Sequence, residues 1–189
     1  MKYFEHESAA TFDEAVSLLK ESPKGKTVVM AGGSDLIGVL KEQILEDYPE
    51  KVVDLKTVRG GEYIKQDGDT IEIGALTKLC DTVTSDLLNE KAPVLSQAAR
   101  SVATPLIRNV ATMGGNICQD VRCWFYRYPH GIGGRMDCMR KGGKECYAVM
   151  GDNRYHSIFG GMKVHTTPCS VQWPANTHIP AYMERRRQG

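Results

Sequence analysis

Two glycine loops and a series of cysteines carry the residue types in this chain whose spacing suits them to chemistry. The loops read Met30-Ala-Gly-Gly-Ser-Asp35 and Ala111-Thr-Met-Gly-Gly-Asn116, each set behind a short apolar run. Paired glycines let a main chain approach a ligand closely, because no Cβ holds it off. Successive N–H groups in such a turn form a concavity that suits a phosphate oxygen. Two such loops can grip both ends of a pyrophosphate, so the expected ligand is a dinucleotide held by backbone. Neither loop reads Gly-x-Gly-x-x-Gly and neither contains Gly-Lys-Ser/Thr, which argues against a nicotinamide-type fingerprint and a P-loop.

The six cysteines are Cys80, Cys118, Cys123, Cys138, Cys146 and Cys169. All but Cys80 fall at or after residue 118, and in a reducing compartment such clustering points to a metal site before disulfides. Cys80 reads as a small buried hydrophobe. From Arg122 to Gly161 the chain is rich in Gly, Arg, Tyr and Cys and shows little periodicity. A loop of that length is uncommon without a task, and a bound metal is one physical way to order it. Trp124, Phe125, Tyr126 and Tyr128 fit either a shield around a metal centre or an apolar loop core. Arg122, Arg127 and Arg135 fit either charge balance or a solvated loop. Asp35 reads as a helix cap, and no Ser–His–Asp set or paired-carboxylate arrangement can be inferred.

Composition sets the outer bounds. With 189 residues, 41% hydrophobic and 25% charged, the chain reads as a globular protein of one domain or two small ones. A net charge of +1 gives no electrostatic case for nucleic acid or a charged membrane. No apolar run approaches the ~18 residues of a bilayer span. Met1-Lys-Tyr-Phe-Glu-His6 lacks the apolar stretch of a signal peptide, so the expected location is cytoplasmic.

The elements that must position the loops are legible in outline. Thr11-Phe-Asp-Glu14 is a capping box, followed by a helix face of Ala15, Val16, Leu18 and Leu19 that runs out near Ser22-Pro23. Lys26 to Met30 predicts a buried strand feeding the first loop, and Leu36 to Ile44 a helix capped by Ser34 or Asp35. Lys51 to Leu55 predicts another strand. Tyr63-Ile-Lys and Thr70-Ile-Glu-Ile flank Asp67-Gly68, a hairpin signal. Thr77 is expected to cap a helix through Val83, and Pro93 to open one carrying Val94, Leu95, Ala98 and Ala99. That helix stops before Thr104-Pro105. Leu106 to Val110 then delivers the second glycine loop, and the tail ends in a short helix or arm.

Ala31-Gly-Gly-Ser-Asp-Leu36, Ile73-Gly-Ala-Leu-Thr77 and Ile107-Arg-Asn-Val-Ala-Thr-Met-Gly-Gly-Asn116 together resemble the FAD-binding subunit of the molybdenum hydroxylases. That family includes xanthine dehydrogenase, carbon monoxide dehydrogenase and 4-hydroxybenzoyl-CoA reductase. The resemblance runs in order through residue 118 and implies an α+β, two-lobed flavin domain of the p-cresol methylhydroxylase (PCMH) type. It implies FAD between the lobes, with Val29, Met30, Ala31, Gly32, Gly33, Ser34, Asp35 and Leu36 around the pyrophosphate. Ala111, Thr112, Met113, Gly114, Gly115 and Asn116 would meet it from the second lobe. The implied organisation is a first lobe at 1–58, a second at 59–121, a Cys-rich insertion at 122–165 and a C-terminal arm at 166–189. The family's usual C-terminal domain is expected to be absent.

Cys123, Cys138 and Cys146 match in spacing the first three ligands of a [4Fe–4S] cluster carried by the 4-hydroxybenzoyl-CoA reductase branch. Tyr155 stands at the fourth position, leaving His156, Cys118 or Cys169 to complete the set. The segment around Cys169 resembles the start of an iron–sulfur segment in glutamate synthase small subunits, but Trp173 occupies its second cysteine position. The resemblance therefore implies an electron-transfer flavin subunit holding FAD and a [4Fe–4S] cluster. Its implied partners are a molybdenum-cofactor-bearing chain, a small [2Fe–2S] chain and an NAD(P)H- or ferredoxin-linked redox protein. Two other readings stay open: a flavin subunit with a zinc-stapled loop, and a non-catalytic assembly or docking protein.

Overall fold

The computed structural model describes residues 1–45, 47–129, 131, 133–134 and 136–151. They form two compact units, one of residues 2–37 with 47–119, the other chiefly of residues 38–45 with 120–151. The expected arm at 166–189 lies outside the described residues.

The first unit is a mixed α/β body. Strands β1 (Glu5–Ser8), β2 (Thr27–Met30) and β3 (Lys51–Asp54) form a parallel sheet in the order β1-β3-β2. Val52 and Val53 of the central strand are fully buried, as expected where a parallel strand is covered on both faces. Helix α1 (Phe12–Glu21) starts at the expected N-cap Thr11, with the return bond of the capping box moved one residue upstream. The Glu14 N–H donates to Thr11 Oγ1 at 3.1 Å, and the Glu14 carboxylate accepts from the Ala10 N–H at 2.6 Å. Ala15 of this helix packs with Ala9, Val53 and Val58, and Leu76 from the expected second lobe joins the same cluster. The two glycine loops therefore belong to one body with a shared core.

Strands β4 (Ile64–Asp67) and β5 (Thr70–Ile73) pair antiparallel, with Asp67 opposite Thr70. The turn residues are thus Gly68 and Asp69, one place later than Asp67-Gly68. Gly68 at φ +56° takes the first central position of a II′-type turn, which glycine favours. Five helices follow in this unit: α3 (Leu79–Thr84), α4 (Asp86–Lys91), α5 (Pro93–Ser101), α6 (Pro105–Arg108) and α7 (Met113–Ile117). Pro93 opens α5, and Thr104 caps α6 by accepting from the Ile107 N–H. Thr77 does not cap α3, whose N-cap is Lys78. Its hydroxyl is occupied by Tyr63 instead.

Helix α2 (Leu36–Lys41) ends three residues short of the expected Ile44. Gln43 adopts φ +52°, while the Gln43 N–H reaches Leu40 O and the Ile44 N–H reaches Val39 O. This is a Schellman end, with Ile44 and Val39 in one apolar cluster. In the second unit Cys123, Cys138 and Tyr126 complete that cluster. A short 3₁₀ turn at Met139–Lys141 and helix α8 (Tyr147–Met150) follow.

Candidate functional site

Strand β2 and helix α2 position the first glycine loop. Met30 is the last paired residue of β2, and its carbonyl still accepts from the Leu55 N–H at 2.9 Å. The chain then turns through Gly33 at φ +72°, which an L side chain rarely adopts. The Ile37 N–H reaches back to Gly33 O and starts α2. Among the described residues the N–H groups of Gly32, Gly33 and Ser34 donate to no acceptor. Ala31, Gly32 and Gly33 are half-buried and Ser34 is exposed, so these donors lie where a solute can meet them. Met30 and Leu36 flank them half-buried, as does Asp35, and Val29 is exposed on β2.

The second loop is built differently. Met113 to Ile117 form a short helix, α7, rather than an open turn. Thr112 caps it, its hydroxyl accepting from the Gly115 N–H at 3.1 Å. The Met113 N–H donates to Thr77 O and the Gly114 N–H to Ala75 O, both at 2.8 Å. The Asn116 N–H bonds Thr112 O, also at 2.8 Å. This corrects the expectation that both loops offer free donors: the second has turned its N–H groups inward. Its helical form comes from a cap and from carbonyls on a distant segment, which outweigh the poor helix propensity of Gly-Gly.

The two loops meet. A Cβ placed on Gly32 would stand 2.7 Å from the Val110 carbonyl carbon and 2.9 Å from Ala111 Cα. One on Gly115 would touch Ala31 Cβ at 3.8 Å. Gly114 lacks a side chain for a similar reason, since a Cβ there would press on Ala75 O at 2.8 Å. Ala111, Thr112 and Asn116 are buried, with Gly115 exposed and Met113 and Gly114 half-buried beside them. The segment Gly74–Thr77, part of the resemblance but with no role assigned from sequence, is the element that grips α7. Its signal was present in Gly-Ala-Leu-Thr, but Thr77 looked like a helix cap.

In the second unit Cys123 and Cys138 are buried in one cluster. The Met139 N–H donates to Glu145 O at 2.8 Å, which draws the chain after Cys138 alongside the half-buried Cys146. Among the described residues no group of three His, Cys, Asp or Glu side chains stands assembled as a metal site. Of the expected ligands, Cys123 and Cys138 are buried and Cys146 is half-buried. Cys118 is exposed in the first unit, and His156, Tyr155, Cys169 and Trp173 lie outside the described residues. Cys80 is half-buried, and burial first, then its bond to Asp81, pushes the thiol pKa up.

A polar staple holds this unit. Asp120 pairs with Arg140 at 2.7 Å and accepts the Tyr126 hydroxyl. The Arg140 guanidinium lies 5.2 Å over the Tyr126 ring, and the Lys141 ammonium 5.7 Å from it. Burial, then the Asp120 bond, push the Tyr126 phenol far above its ordinary range. Burial opposes the charge on Arg140, and Asp120 and Tyr126 together more than offset it, so its pKa is raised. Arg127 donates to the carbonyls of Asp120 and Val121, so its expected choice between charge balance and solvation resolves into a backbone clamp. Trp124 and Phe125 meet edge-on at 6.0 Å, and Phe125 packs on the cluster.

The family model described as the FAD binding domain in molybdopterin dehydrogenase matches residues 2–124. The nicotinate dehydrogenase FAD-subunit of Eubacterium barkeri is 33% identical over 117 residues, covering 62% of this chain and 39% of that protein. The aldehyde oxidoreductase FAD-binding subunit PaoB of Escherichia coli K12 is 29% identical over 161 residues, covering 85% and 48%. A solved carbon monoxide dehydrogenase from Hydrogenophaga pseudoflava superposes with a TM-score of 0.58 at 31% identity, covering 61% of this chain and 39% of that one. The chain thus spans 39–48% of the length of these relatives. Among the described residues, no helix is long and apolar enough to cross a membrane.

Proposed function

The chain belongs to the family of FAD-binding domains in molybdopterin dehydrogenases, and from that premise we propose that it is the FAD-binding electron-transfer subunit of a molybdenum-hydroxylase-type complex. The observation that carries the assignment of the site is the meeting of the two glycine loops, one of them with its donors turned outward. The fit to FAD is physical. A pyrophosphate carries negative charge, and the N–H groups of Gly32, Gly33 and Ser34 form a donor set without protein acceptors among the described residues. Val29 to Leu36 would hold the phosphates, and Ala111 to Asn116 would form the wall behind them. Bound FAD supplies a redox-active ring that takes up and passes on electrons. The protein's own residues bind it, keep Cβ atoms out of its path and fix the loops that cradle it.

Residues 1–58 and 59–121 serve in this reading as the two FAD-binding lobes of a PCMH-type domain, followed by a Cys-rich insertion at 122–165. We assign a [4Fe–4S] cluster to Cys123, Cys138 and Cys146 of that insertion. Two observations support it. Thiolates are the ordinary ligands of such clusters, and any 161-residue stretch of a 189-residue chain must contain residues 29–161. The likeness to PaoB therefore extends through all three cysteines. The described residues lack an assembled trio, so the cluster itself would complete the ligand set, as metals do where no preformed site exists. The complex would be cytoplasmic, with a molybdenum-bearing chain, a small [2Fe–2S] chain and an NAD(P)H- or ferredoxin-linked partner.

The test is the visible spectrum with flavin, iron, sulfide and zinc content of anaerobically purified chain. Flavin with about four irons and four sulfides supports the full reading. Flavin with zinc in place of iron keeps the FAD subunit and removes the cluster. Failure to take up FAD on reconstitution, alone and with the partner chains, leaves an assembly or docking protein.

A further inference from the structure

We propose that Thr77 is the positioning residue of the second glycine loop, joining Tyr63 to Met113 through one hydroxyl and one carbonyl. The proposal rests on the reading of Ala111–Asn116 as part of the FAD site. Thr77 is 3% exposed, and its hydroxyl performs two tasks on one partner. It accepts from the Tyr63 N–H at 3.0 Å and donates to the Tyr63 carbonyl at 2.9 Å. A hydroxyl is the smallest side-chain group that both donates and accepts. Its carbonyl meanwhile accepts from the Met113 N–H at 2.8 Å, at the first residue of α7.

Neighbouring bonds make this link the middle of a backbone stack. Below it, the Gly74 N–H bonds Tyr63 O and the Leu76 N–H bonds Gly61 O, each at 2.8 Å. A Cβ on Gly74 would come within 2.9 Å of the Gly61 carbonyl carbon, so these two segments touch at the main chain. Above it, Ala75 O accepts from the Gly114 N–H and the Leu79 N–H donates to Ala111 O. The last contact is Val110 against Gly32. The height of the second loop, and so the width of any cradle it makes with the first, is set through Thr77. The only side-chain atom in that chain of bonds is the Thr77 hydroxyl.

A valine at 77 keeps the shape and removes both hydroxyl bonds, leaving the Tyr63 N–H without its acceptor. A serine keeps both. In the full chain, Thr77→Val is expected to weaken FAD binding about tenfold, the effect of one lost buried hydrogen bond passed to the loop. It should also speed amide exchange at Met113 and Gly114 in the FAD-free protein, with β3 amides unchanged. Thr77→Ser should restore both. Unchanged exchange at Met113 and Gly114 in Thr77→Val overturns the proposal, as does a Ser variant that behaves like Val. Faster exchange with unaltered FAD affinity keeps the positioning role and instead removes this loop from the FAD site. Should the valine variant not fold, wild-type exchange under increasing urea decides. The amides of Tyr63, Met113 and Gly114 are expected to open together, and separate openings overturn the link.

Discussion

Gly32→Ala is the sharpest perturbation the first loop offers. The three atoms nearest the added Cβ are all main chain: the Val110 carbonyl oxygen, closest of all, the Val110 carbonyl carbon at 2.7 Å and Ala111 Cα at 2.9 Å, where ordinary contact begins at 3.4 Å. The loops must therefore part by more than the 0.7 Å that the carbonyl carbon alone would demand, and the nearest atoms are backbone that cannot swing aside. Overpacking of this kind costs about 1–3 kcal/mol, against roughly 0.4–1 kcal/mol gained from the stiffer unfolded chain. A net loss near ~1–2 kcal/mol follows. Gly38→Ala is the matched control, because Gly38 lies inside α2 with nothing within 4 Å of its Cβ position. It should gain roughly 0.4–1 kcal/mol. Urea melts of both variants measure stability, and quenching of FAD fluorescence measures affinity. We expect Gly32→Ala to bind FAD at least about tenfold more weakly, a change of ~1.4 kcal/mol. A Gly32→Ala protein as stable as wild type would refute the close approach. One that is destabilised yet binds FAD normally would refute the placing of the pyrophosphate there.

Two further outcomes test the rest of the chain. Gln43→Gly is expected to stabilise by ~0.5–1 kcal/mol, since glycine adopts the left-handed Schellman position without a Cβ penalty; Gln43→Ala should show no such gain in the same melts. Tyr126 holds its proton in the folded state well past the pH at which the unfolded phenol ionises. Its raised pKa therefore contributes stability that is complete below about pH 10 and falls as pH rises beyond it. Tyr126→Phe should flatten that decline in a stability-against-pH series, and an unchanged slope would sink the assignment.

What was legible depended on whether the signal was local. Thr11 and Glu14 announce α1 because a capping box is satisfied within its own turn. Pro93 announces α5 in the same way. Strand β1 went unseen because Glu5-His6-Glu7-Ser8 has no apolar alternation; it is a strand through its pairing with β3. Helix α4 is six residues long with only Ser85 as a cap, too short to show a period. For Thr77 the sequence offered a reasonable cap, and a contact fourteen residues away claimed the hydroxyl instead. The cysteine spacing was visible, whereas the staple of Asp120, Tyr126 and Arg140 was not. Those three partners are separated by six and fourteen residues in a stretch without periodicity.

The two glycine motifs look alike in sequence, yet their physics differs, and that difference orders their roles. Gly32 to Ser34 follow a strand buried only at Thr27, not the fully buried strand expected, and among the described residues they keep their donors unspent, so the first loop can answer a phosphate's charge directly. Ala111 to Asn116 use their N–H groups on Thr112, Ala75 and Thr77, so the second loop has little left to donate. Its glycines serve closeness: Gly114 to Ala75, Gly115 to Ala31. On the FAD reading, changes in the first loop act by removing donors or blocking the pyrophosphate. Changes in the second act by moving a wall. The two classes separate on salt dependence, because a lost charge–dipole contact weakens its screening by salt while a displaced wall leaves that screening intact. A Ser34→Pro variant, which deletes one donor N–H, should therefore flatten the fall of FAD affinity with salt. Thr112→Ala, which loosens α7, should lower affinity by a similar factor at every salt concentration. Equal salt slopes in the two variants would return the loops to equivalent roles.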